Sequence, residues 1–172
     1  MNIRSVVLAS LAVLTATLPV SSAQSVQDTI YQDKAAISGK DGFDQNRVIF
    51  RAAHGQKVIV TLPCTPAGCK VAFSVKGWVP MVDNHGRPTL RAINAQAGVY
   101  EVTAPELVIG RRIAHSPTTV VAAIERQGTL MATNKVRVSS WGPGGKWAWV
   151  EANFTGIVNY QHLSKAHRPA GT

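Results

Sequence analysis

Cys64 and Cys69, in the stretch LPCTPAGCK, are the only cysteines of the 172-residue chain. Five positions apart, such a pair can be a redox centre, half of a metal site or a covalent staple. Redox pairs favour a two-residue spacer at a helix start, whereas four residues intervene here, among them Pro66 and Gly68, which suit a turn. A zinc site would need two further ligands at recognisable spacing, and there is no third cysteine. The pair therefore reads as a disulfide across a hairpin tip, and no metal is assigned. A loop this short gains only about 2 kcal/mol from the crosslink in the chain-entropy model, so the bond pins a turn rather than the whole domain.

The histidines, His54, His85, His115, His162 and His167, form no strong motif. His162 and His167 miss the i, i+4 spacing of a helical metal pair. Asp83-Asn84-His85-Gly86 reads as a turn. A nucleophile elbow, a phosphate-cradling loop and a zinc-protease helix are all missing. Glu101, Glu106, Glu125 and Glu151 are scattered, with nothing to mark two as a glycosidase pair. The sequence assigns no catalytic residue and no cofactor. Asn153-Phe154-Thr155 matches a glycosylation acceptor, a pattern common by chance.

Three of the four tryptophans gather in SSWGPGGKWAWV, residues 139–150. In a strand Trp147 and Trp149 share a face opposite Lys146 and Ala148, while Trp141 precedes a glycine-rich turn. Large aromatics at such positions either fill the core or make a platform on which flat sugar rings or bases stack, with a cation beside it. Arg111-Arg112 is either a solvated pair or part of an anion patch. The residues assigned to ligand binding are accordingly Trp141, Lys146, Trp147, Trp149, Arg111 and Arg112.

The elements that must position these groups read as β-strands. Residues 47–51, 57–62 and 70–76 are β-branched or alternating, with Val71, Phe73 and Val75 on one face, and His54-Gly55-Gln56 reads as a hairpin connection, giving a three-strand meander. Further strands are expected over 98–103, 118–125, 129–139, 146–151 and 154–160, separated by Pro105, Pro117, Arg126-Gln127-Gly128 and Gly142-Pro143-Gly144-Gly145. That spacing predicts an all-β antiparallel sandwich or partly closed barrel over 47–163. Residues 24–46 are expected to form a short N-terminal helix or arm, since Ser25-Val26-Gln27-Asp28 resembles a capping box and Val26, Ile30 and Ile37 lie near one stripe. Residues 164–172 read as a flexible tail.

Residues 1–23 read as an export signal: Arg4, an apolar run over 6–18 and small residues at Ser21-Ser22-Ala23. No later run is long enough to span a membrane. Export, to periplasm or extracellular space, agrees with a disulfide. Loss of the leader removes one cation, so the mature chain keeps 17 of 18 basic residues against all 9 acids. Acids concentrate at the front, in Asp28, Asp33, Asp41 and Asp44, and leave a basic body that favours polyanionic company.

The function expected from these features is an exported, non-enzymatic binding module engaging an acidic glycan, a cell-wall polymer or a protein partner. Nucleic acid has no motif to support it. One alternative is a small envelope-acting hydrolase using His85 or His115 with a carboxylate. Another is a subunit of a surface or secretion assembly that docks through its acidic arm. Oligomeric state is not readable from the sequence.

Overall fold

A computed structural model of the protein describes residues 23–39, 44–115 and 120–165. Residues 1–22 of the expected export signal and residues 166–172 of the expected tail lie outside the described residues. The chain is nearly all sheet, with no α-helix among the described residues: β1 (Gln24–Thr29), β2 (Ala35–Ser38), β3 (Val48–Ala52), β4 (Lys57–Thr65), β5 (Gly68–Pro80), β6 (Leu90–Asn94), β7 (Val99–Val102), β8 (Glu106–His115), β9 (Val120–Met131), β10 (Lys135–Trp141) and β11 (Trp147–Val158). Every pairing between them is antiparallel, in the order β1-β4-β5-β8-β9-β3-β2-β11-β10-β7-β6.

The order folds back on itself because β11 also pairs with β5, in a ladder running from Trp147↔Pro80 to Val158↔Cys69. Strands β5, β8, β9, β3, β2 and β11 thus form a ring-like circuit. Two flaps hang from it, β4 with β1 on β5, and β10, β7 and β6 on β11. Alternation in β5 and β11 sends Val71, Phe73, Val75 and Val79 inward against Val150, Ala152, Phe154 and Val158. At the centre Phe50, Phe73 and Phe154 pack with ring centroids 5.0–5.4 Å apart.

Glycines let strands approach where a side chain would collide. A Cβ on Gly128 would lie 2.2 Å from Phe50 Cζ, and one on Gly77 2.5 Å from the Gly110 carbonyl. Cys64 and Cys69 are disulfide-bonded, with Cα atoms 4.4 Å apart, across the tip of the β4–β5 hairpin.

Several expectations change. Residues 24–38 are neither helix nor arm: β1 pairs along β4 and β2 lies between β3 and β11. Strand pairing decides this, because Val26 meets Val60 and Ile37 meets Phe50 and Val158. The front of the meander also fails. β3 pairs with β2 and β9, and the turn at 53–56, where Gly55 N donates to Ile30 O at 2.9 Å and Gly55 has φ +85°, redirects the chain so that β4 meets β1. β6 and β8 are strands that the sequence reading lacked. Arg126-Gln127-Gly128 does not break β9 but forms a bulge in its ladder with β8, and 146–160 holds one strand rather than two. The start of the supposed tail is docked: next to Leu163, which bridges Ile30, Ser164 N donates to Thr29 O at 2.9 Å.

Candidate functional site

One edge of β5 is shared by two strands end to end. β4 accompanies it at Lys70, Val71 and Ala72, β8 meets it at Trp78↔Gly110, and between these points β4 and β8 both turn away. β4 continues along β1 instead, as Asp28↔Val58 and Thr29↔Lys57, and β8 continues along β9 from Arg112↔Ile124 to His115↔Val120. The splay opens a cleft of about 1020 Å³. That volume matches what ligand sites commonly occupy. Ala72, Phe73 and Ser74 line it from β5, with Asn153, Phe154 and Thr155 beside them from β11. Phe73 and Phe154 stay buried, yet each retains some exposure while Phe50 has none.

Cations dominate the walls. Lys57 projects from the β4 side, Arg111 and Arg126 from the β8–β9 side, and Lys165 from the docked C-terminal segment, against only two carboxylates, Asp28 and Glu125. Both acids are engaged. Asp28 is buried and accepts from Thr29 N at 2.6 Å, Lys165 N at 3.3 Å and the Ser164 hydroxyl, and Glu125 pairs with Arg112 at 3.0 Å. Among the described residues Lys57 and Arg111 have no ion-pair partner. Arg126 donates through Nη2 to Thr129 Oγ1 at 2.5 Å, while its Nε is buried without a hydrogen-bond partner. Low-dielectric walls around uncompensated positive charge focus a field that attracts anions.

The six residues assigned from sequence do not form one site. Arg111 lines the cleft and Arg112 lies beside it, tied to Glu125. Trp147 and Trp149 sit on the face of β11 opposite the phenylalanine core, where Trp149 meets its register partner Trp78 edge-on at 5.3 Å and Trp147 is buried beneath the Gly142 turn. Trp141 is half exposed and pairs with inward-facing Ala148, so it lies on the other face, edge-on to Tyr100 at 5.9 Å. Lys146 is exposed in the turn. Two tryptophan sets on opposite faces make no common platform.

The other chemistry considered from sequence is placed as follows. Asp83 accepts from Arg87 N at 2.9 Å, Arg87 Nε at 2.8 Å and His85 N at 2.8 Å, bonds that, Arg87 N foremost, hold its carboxyl below the usual range and fix the turn. It is therefore the backbone of His85 that meets Asp83. Among the described residues no three His, Cys, Asp or Glu side chains converge as metal ligands, and no helix is long and apolar enough to cross a membrane.

Sequence reasoning missed Lys57, Arg126, Lys165 and the two cleft phenylalanines as companions of Arg111. The basic excess after Arg47 was the available signal, but it gave no neighbours. Compared with protein-family models, curated proteins and solved structures, the chain matches none.

Proposed function

We propose that the protein is an exported, non-enzymatic binding module whose cleft holds an anionic ligand, supplied by an envelope component or a protein partner. The observation that carries this reading is Lys57 and Arg111 on opposite walls of one cleft, exposed and unpaired among the described residues, with Arg126 lining the same cleft. The disulfide and the lack of a membrane-crossing helix among the described residues are compatible with export. A heparin-derived hexasaccharide serves as a defined polyanion for the test. Binding by calorimetry should weaken about tenfold between low and moderate salt, and Lys57→Ser with Arg111→Ser should weaken it by a similar factor. Undiminished affinity in the double variant would remove the cleft from the proposal. Complete lack of binding at low salt, to this probe and to an acidic peptide, would remove the anion.

A further inference from the structure

The cleft exposes more than charge. Residues 69–80 of β5 all have register partners on β11, but on the other edge the β4 partners stop at Ala72 and the next partner is Gly110 of β8, opposite Trp78. Residues 73–76 thus have a sheet partner on one side only, Gly77 already lying against the Gly110 backbone of β8, and Phe73 and Ser74 of this interrupted edge line the cleft. In an extended strand, alternate residues direct their N–H and C=O groups to each edge, so such a gap is a template for another extended backbone. Four residues span about 13 Å.

Resting on the anion-binding reading above, we propose that the ligand is an acidic peptide segment bound in extended form, its backbone pairing with the free edge of β5 at residues 73–76. Main-chain bonds supply affinity in this mode, and alternate side chains supply selectivity. One set of ligand side chains meets the partly exposed rings of Phe73 and Phe154. The other set carries carboxylates to Lys57 and Arg111. A polysaccharide of equal charge satisfies the cations and leaves the β5 edge unpaired.

The test uses the purified protein and a capped heptapeptide alternating Asp and Val. Three comparison probes are the same peptide N-methylated at alternate amides, a Lys-Val heptapeptide and the heparin-derived hexasaccharide. The Asp-Val peptide should bind, N-methylation should weaken it at least about tenfold, and the Lys-Val peptide should not bind. Amide exchange at residues 73–76 should slow on adding the Asp-Val peptide and stay unchanged with the hexasaccharide. Equal affinity for the methylated peptide, or unchanged exchange at 73–76, overturns the proposal. Arg111-dependent binding of the hexasaccharide without binding of the peptide overturns it too, while leaving the anion-binding reading intact. Silence from every probe sinks both.

Discussion

Glu125 reaches Arg112 across the β8–β9 hairpin, Oε1 to Nε 3.0 Å, from a backbone held at φ +54°. A left-handed conformation costs a non-glycine residue about 1 kcal/mol, and the exposed ion pair returns no more than that. Such strain, just before the Arg126–Gly128 bulge at a cleft wall, is where a side chain is being aimed. Glu125→Gly should therefore be more stable than Glu125→Ala by about 1 kcal/mol in urea unfolding, the reverse of their usual order in a strand. Both variants should bind the acidic peptide about twofold to fivefold more tightly, because a carboxylate leaves the cleft.

The contact between β5 and β8 depends on glycine. A Cβ on Gly77 meets the Gly110 carbonyl at 2.5 Å and Ile109 Cγ1 at 2.9 Å. Gly77→Ala should cost about 2 kcal/mol. Gly39→Ala, whose Cβ has nothing within 4 Å, should change stability by less than about 0.5 kcal/mol. Thermal unfolding of the two variants side by side checks the contrast.

Replacing both cysteines, as Cys64→Ala with Cys69→Ala, should lower stability by about 2 kcal/mol, set by the short loop the bond closes. The loss should be felt first at the β4–β5 tip. Anion binding should survive, since neither cysteine lines the cleft. Loss of binding in a folded double variant would mean that the hairpin tip orients the cleft.

His162 belongs to the segment that docks on β1, where its carbonyl accepts from Tyr31 N at 2.7 Å. Burial disfavours its cation and lowers its pKa, and its Nδ1 has no hydrogen-bond partner. The unfolded chain therefore binds the proton more readily. This contribution to stability is full above about pH 6.5, the unfolded value, and is lost as pH falls from there toward the lower folded value. His162→Gln should flatten the dependence of melting temperature on pH between about 7 and 5. An unchanged slope would assign it to other groups.

Tryptophan fluorescence separates the two aromatic sets. Trp147 is buried, so Trp147→Ala should cost about 3 kcal/mol or more. Trp141→Ala should cost less than about 1 kcal/mol and remove the emission most accessible to acrylamide, because that ring is half exposed.

What the sequence made legible was local. Period-two alternation identified the inward face of β5 through Val71, Phe73 and Val75, and Pro66 with Gly68 marked the turn that the disulfide closes. What stayed hidden was decided by distant partners. Val26 and Ile37 fit a loose helical stripe until Val60 and Val158 are in place to pair with them. Gly110-Arg111-Arg112 resembles a loop, yet Gly110 is needed inside β8 because a Cβ there would lie 2.6 Å from the Ile124 carbonyl. Gly128 reads as a strand break and instead makes room for Phe50. For the site, Arg111 was recognisable as an exposed cation, but Lys57 and Arg126 reach the same cleft from other strands, a proximity that no local pattern records.

The ladder between β5 and β11 also sets an order of events. Its partners stand far apart in the chain, Cys69 opposite Val158 at one end and Pro80 opposite Trp147 at the other. Phe154, which completes the aromatic cluster with Phe50 and Phe73, arrives only with that last strand. Nothing shorter than nearly the whole described chain can close the core. Folding must wait for long-range pairing, which is slow compared with local hairpin formation. A chain emerging from its N-terminus stays unlocked until β11 is available, with β5 open along the edge that β11 will occupy.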